Sequence, residues 1–123
     1  MWGSPWQPRF FDWAFNLDRG PDIAAKWELI PDDTDILITH GPPAGILDKP
    51  RRGGAVGCVD LLYRVEVVKP KLHLFGHIHE AAGVFDTPPT LFVNASVGLS
   101  DPPGRAVVVT WDGERMRAAN GAT

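Results

Sequence analysis

A chain of 123 residues and 13.5 kDa is one domain's worth of sequence, and its 44% apolar and 22% charged content excludes wholesale disorder. A net charge of −3, from 12 basic and 15 acidic residues without a basic block, argues against a nucleic-acid binder held by counterion release. No apolar run nears the roughly 20 residues of a membrane helix, no signal-peptide pattern opens the chain, and the single cysteine, Cys58, predicts a reducing, cytoplasmic setting.

Six of the twelve aromatic residues fall within the first fifteen positions: Trp2, Trp6, Phe10, Phe11, Trp13 and Phe15. With Pro5 and Pro8 among them, this stretch reads as loop with a short strand around Phe10–Phe15. So many rings need a surface to pack against, and packing is favoured over stacking on a nucleobase. Gly20-Pro21-Asp22 predicts a helix start, with proline at the first position and an acid in the first turn. Ile23, Trp27 and Ile30 share one face, and Pro31 stops the helix. Ile36–Thr39 is a short apolar run between turn signals, hence a buried strand, with His40 at its C-terminal end. Gly41-Pro42-Pro43 turns sharply into a loop that runs to Gly57.

A second helix is predicted over Cys58–Val68, its apolar positions following the i, i+3, i+4, i+7 pattern. Pro70 ends it. Lys71–Phe75 is a further strand, closed by Gly76, and His77-Ile78-His79 follows. Gly83–Phe85, Leu91–Val93 and Ala106–Thr110 read as strands, separated by Pro88-Pro89 and by the turn Asp101-Pro102-Pro103-Gly104. The last dozen residues are polar and predict frayed chain. Thirteen glycines and twelve prolines match this abundance of turns.

Strand, helix, strand in the centre predicts two parallel neighbours joined by a right-handed crossover. His40 then leaves the C-terminal end of one strand, and His77 and His79 leave the same end of the other. That edge is where open α/β sheets bind ligands. Three imidazoles in one crevice suit a zinc-like ion, and such an ion makes hydroxide available near neutral pH, which points to hydrolysis. Gly76 is expected to carry the tight turn, and the i, i+2 spacing to aim His77 and His79 to one side. His73, inside its strand, is read as structural. Asp48 is read as a turn cap, Asp60 as a first-turn helix residue and Glu80 as solvated. Arg51-Arg52 lies in the loop over the crevice, where a guanidinium would neutralise phosphate, although a solvated pair is the plainer reading. Cys58 is read as packing.

The segments Thr39-His40-Gly41-Pro42-Pro43, Gly57-Cys58-Val59-Asp60-Leu61-Leu62 and His73-Leu74-Phe75-Gly76-His77-Ile78-His79-Glu80 together resemble the C-terminal half of a calcineurin-like metallophosphoesterase. They are most similar to the metallophosphoesterase-domain-containing subfamily. Gly3-Ser4-Pro5-Trp6-Gln7-Pro8, Phe11-Asp12-Trp13-Ala14-Phe15-Asn16 and Val93-Asn94-Ala95-Ser96 extend the likeness over nearly the whole chain.

The resemblance implies an α/β fold: part of the family's layered sandwich, with parallel central strands, a crossover helix and C-terminal antiparallel strands. Residues 1–123 would be the C-terminal part of that domain. It also implies two divalent ions, manganese, iron or zinc, and a bridging hydroxide that attacks a phosphodiester or phosphomonoester of nucleotide type. His40 and His77 would bind one ion and His79 the other. Gly41 and Gly76 would be close-approach positions in substrate binding, with Arg51 and Arg52 as further contacts. The family's Asp-x-His, Gly-Asp and Gly-Asn-His motifs, which supply the bridging aspartate and the acid histidine, do not occur in this sequence. The chain alone is therefore expected to hold one ion or none and to turn over little. It is also expected to self-associate or to need a complementing chain.

Overall fold

The computed structural model describes residues 1–97 and 106–119. In chain order the elements are β1 (Trp2–Ser4), β2 (Gln7–Pro8), β3 (Asn16–Leu17), α1 (Pro21–Trp27), β4 (Ile36–Thr39), α2 (Val59–Val68), β5 (Leu72–Phe75), a 3-10 turn (His79–Ala81), β6 (Gly83–Thr87), β7 (Thr90–Asn94), β8 (Val109–Trp111) and β9 (Met116–Ala118).

The central sheet has five strands in the order β1-β4-β5-β7-β6. As expected, β4 and β5 are parallel neighbours, with Leu37 opposite His73 and Ile38 opposite Leu74. β7 adds in parallel beside β5, and only β6 runs antiparallel, in a hairpin that closes Thr87 against Thr90. The sheet is thus α/β, parallel at its centre with antiparallel strands toward the C-terminus. Side chains alternate between its two faces. One face carries Leu37, Phe75 and Phe92 beneath both helices, where Ile23, Trp27, Ile30, Cys58, Leu61 and Val65 complete the main core. The other carries Leu72, Leu91 and Val93, with Val109 and Met116 of the β8–β9 hairpin packed against them.

Local chemistry explains the helices. α1 begins on Pro21 with Asp22 in its first turn. Arg64 of α2 ties off its far end by donating to the carbonyls of Trp27 and Ile30, the former at 3.2 Å. Cys58 caps α2 in an extended conformation, and its sulfur accepts from Trp27 Nε1 at 3.4 Å, consistent with its reading as packing. Asp60 accepts from the Gly20 amide at 3.0 Å and so links the two helix starts.

Several stretches differ from expectation. α1 ends at Trp27, short of Pro31, and the strand expected over Ala106–Thr110 spans Val109–Trp111 instead. Phe10–Phe15 is a turn rather than a strand. The pairing falls on its flanks, Gln7 with Asn16 and Pro8 with Leu17, because Asn16 bonds the backbone of Phe10 and Phe11 and folds the aromatic stretch into a loop. At the other end, Met116–Ala118 forms a strand where fraying was expected, held by pairing to β8. The Asp101–Gly104 turn and residues 120–123 lie outside the described residues.

Candidate functional site

The parallel pairing of β4 with β5 places the ends of both strands at one edge. There His40 Nε2 and His77 Nδ1 stand 3.1 Å apart, although 37 positions separate them in sequence. The backbone reinforces the approach, because the Gly76 amide donates to the His40 carbonyl at 2.9 Å. His40 is exposed and His77 half-buried. Partial burial pushes both rings below the ordinary imidazole range, and for His77 the neighbouring charges of His40 and His79 push in the same direction. The pair is therefore biased toward neutral rings, the form of imidazole that binds a cation.

The turn that presents His77 is not the one its glycine suggests. His77 itself adopts φ +71°, and the Ile78 amide donates back to the Gly76 carbonyl at 2.8 Å. This is the positive-φ γ-turn, a rare and strained conformation for a residue with a side chain. Gly76 has a different role, since a Cβ there would stand 3.2 Å from Ser96 Oγ, tighter than ordinary contact. One consequence concerns His79. The chain is not extended between the two histidines, so their side chains are not aligned by simple alternation, and His79 begins the exposed 3-10 turn.

Beside His77 lies a cleft of about 130 Å³ lined by residues that include Gln7, Arg9, Phe10, Arg19, Gly41 and Val56. That is below the roughly 300–1,000 Å³ of a pocket that engulfs a drug-sized ligand and suits one compact group. Phe10 packs edge-on against His77 with centroids 4.9 Å apart, and Trp13 does so at 6.3 Å. The aromatic start is thus divided: Trp2 and Trp6 pack on the core, whereas Phe11, Trp13 and Phe15 stay exposed. Arg19 is anchored by donating to the Gly57 and Val56 carbonyls, both at 2.8 Å. Arg9 is paired with Asp18 at 2.8 Å. Sequence reasoning passed over both arginines, and only their closeness to the aromatic run could have pointed to them.

Gly41 lines the cleft, and a Cβ there would meet the His77 ring at an ordinary 3.9 Å. Arg51 and Arg52 sit exposed on the loop and do not line the cleft. The Arg51 amide donates to Glu80 at 3.2 Å, which engages a side chain read from sequence as solvated. Asp48 is the turn cap expected of it: buried, it accepts from the amides of Gly45 at 2.8 Å and Gly57 at 2.9 Å.

A protein zinc site takes three or four side-chain donors. Among the described residues no group of three or more His, Cys, Asp or Glu side chains is placed to hold an ion. Among those residues the geometry unites two imidazoles, not the three expected, with no carboxylate placed to join them. The donor set does not fit a complete one-ion or two-ion centre.

No family model matches the chain. Curated proteins do. Metallophosphoesterase domain-containing protein 1 of Homo sapiens and that of Mus musculus are each 57% identical over 99 residues, 79% of this chain and 30% of theirs. UPF0046 protein T07D4.2 of Caenorhabditis elegans is 47% identical over 95 residues, 76% of this chain and 24% of that protein. The chain therefore spans less than a third of the length of these relatives. Within the matched residues it belongs with the metallophosphoesterase domain-containing proteins, as the counterpart of one part of their sequence.

Proposed function

We propose that this chain is the histidine-bearing part of a metal-dependent phosphoester hydrolase, in which His40, His77 and His79 serve as ion ligands. The observation that carries the reading is the His40–His77 contact of 3.1 Å at the C-terminal edge of adjacent parallel strands, in a chain similar to proteins named for a metallophosphoesterase domain. The ion is manganese, iron or zinc, and the substrate a phosphodiester or phosphomonoester of nucleotide type. The cleft beside His77 matches a phosphate-sized group better than a whole nucleotide. Gly41 and Gly76 are the close-approach positions, and Arg51 and Arg52 are contacts made from the loop. The protein acts in the cytoplasm. Among the described residues no helix is long and apolar enough to cross a membrane.

A second reading is favoured by the lack of a third donor among the described residues: the chain alone is a non-catalytic half, and its centre forms only with a polypeptide or second copy that supplies further ligands. Calorimetry of the purified chain with Zn²⁺ or Mn²⁺ is expected to give one ion per chain or fewer, weakened by His40→Ala and by His77→Ala. Turnover of a chromogenic phosphodiester with Mn²⁺ is expected to stay near background until a chain carrying Asp-x-His and Gly-Asn-His is added. Vigorous turnover by this chain alone, lost in His77→Ala, would overturn the second reading. Ion binding indifferent to His40 and His77 would overturn the first.

A further inference from the structure

Behind the histidine pair, Thr39 and His73 permit one assignment of their protons. The Gly41 carbonyl can only accept, so the Thr39 hydroxyl hydrogen is committed to it at 2.8 Å. The Thr39 oxygen must then accept from His73 Nε2 at 2.9 Å, which puts a hydrogen on Nε2 and leaves Nδ1 bare. Nδ1 is buried without a hydrogen-bond partner among the described residues. The ring has no solvent exposure and packs against Phe75 at 4.9 Å and Phe92 at 5.7 Å. A second proton would have nothing to bond, and burial pushes His73 down to about 3. The ring is a neutral donor of fixed tautomer.

The two residues held by the hydroxyl bond, Thr39 and Gly41, flank His40. The His40 carbonyl is itself held by the Gly76 amide. A phenylalanine at position 73 would fill the same apolar site without an orphaned nitrogen, but it would leave the Thr39 hydroxyl without its donor. We infer that His73 is a positioning residue, which orients the Thr39 hydroxyl onto the Gly41 carbonyl and thereby sets the backbone that brings His40 against His77. The geometric role stands apart from the metal reading, and its functional weight rests on that reading.

The test is imidazole NMR on the ¹⁵N-labelled chain. Long-range ¹H–¹⁵N spectra are expected to show His73 as the Nε2–H tautomer, and ring-to-ring cross-relaxation to connect His40 with His77. Thr39→Val and His73→Phe should each lose that connection. Thr39→Ser, which keeps the hydroxyl, should retain it, as should His73→Gln, which keeps an N–H near the Nε2 position. An Nδ1–H tautomer at His73, or wild-type cross-relaxation in both Thr39→Val and His73→Phe, would overturn the inference. Should Thr39→Val not fold, the comparison of His73→Phe with His73→Gln decides alone. Zn²⁺ affinity is expected to fall about 10- to 100-fold in Thr39→Val and to recover in Thr39→Ser, the usual effect of removing a partner that orients a ligand. A wild-type chain that binds no Zn²⁺ while showing the expected tautomer and cross-relaxation would leave the positioning role standing and decide for the reading in which the centre forms only with a complementing chain.

Discussion

At φ +71°, His77 occupies backbone territory that costs a side-chain-bearing residue about 1–3 kcal/mol. The surrounding contacts hold it there: the Gly76 carbonyl, the His40 ring and the edges of Phe10 and Trp13. Ala and Gly substitutions both delete the ring, but only glycine relieves the strain. His77→Gly is therefore expected to be about 1 kcal/mol more stable than His77→Ala in urea unfolding, with both variants losing the pair. The opposite ranking would show the γ-turn to be unstrained. His73 yields a pH prediction. Its folded pKa is pushed down to about 3, whereas an unfolded imidazole takes its proton near 6.5. Between those values only the unfolded chain binds the proton. The penalty is absent above pH 6.5 and grows as pH falls toward 3, by about 1.4 kcal/mol per pH unit. His73→Gln should flatten that part of the stability profile, measured by denaturant titrations from pH 7 to pH 4. The nearness of His40 to His77 could be read from sequence, because it follows from two adjacent parallel strands. The placement of His79 could not, because the i, i+2 rule assumes extended chain and the γ-turn breaks it.

Between β4 and α2, the loop is organised by one carboxylate. Asp48 gathers the amides of Gly45 and Gly57, while Pro42 and Ala44 bond backbone to Cys58 at 3.0 Å each. A Cβ on Gly57 would fall 2.6 Å from Asp48 Oδ2, so no side chain fits where the loop closes. Asp48→Ala removes two hydrogen bonds to a charged acceptor and is expected to destabilise the chain by about 2–3 kcal/mol. It should also speed tryptic cleavage after Arg51 and Arg52, which project from this loop; wild-type cleavage rates would refute the clamp. The same closure explains why those arginines do not line the cleft. The central strand–helix–strand unit was legible because its apolar periodicities are long and its ends are marked by Gly and Pro. β1, β2 and β3, at two or three residues each, are too short to show a period, and they exist because the tertiary structure offers them partners.

In the whole molecule, three parts distant in sequence meet at one sheet edge: the aromatic turn, the loop after β4 and the turn after β5. A coarse α/β architecture was within reach of periodicity and turn chemistry. The cleft was not, because Arg9, Arg19 and Phe10 converge through β2–β3 pairing, which no local pattern encodes. The strand order has a consequence for how the chain reaches this arrangement. β6–β7 closes through a two-residue connection, whereas β1 must find β4 with Trp2 opposite Leu37, across the aromatic turn and α1. Short-range closures form early and distant parallel pairings late. In pulse-labelling hydrogen exchange during refolding, amides of β6 and β7 are expected to gain protection first and those of β1 last. The histidine edge would then assemble before the aromatic turn folds against it, and early protection of Trp2–Ser4 would reverse that order.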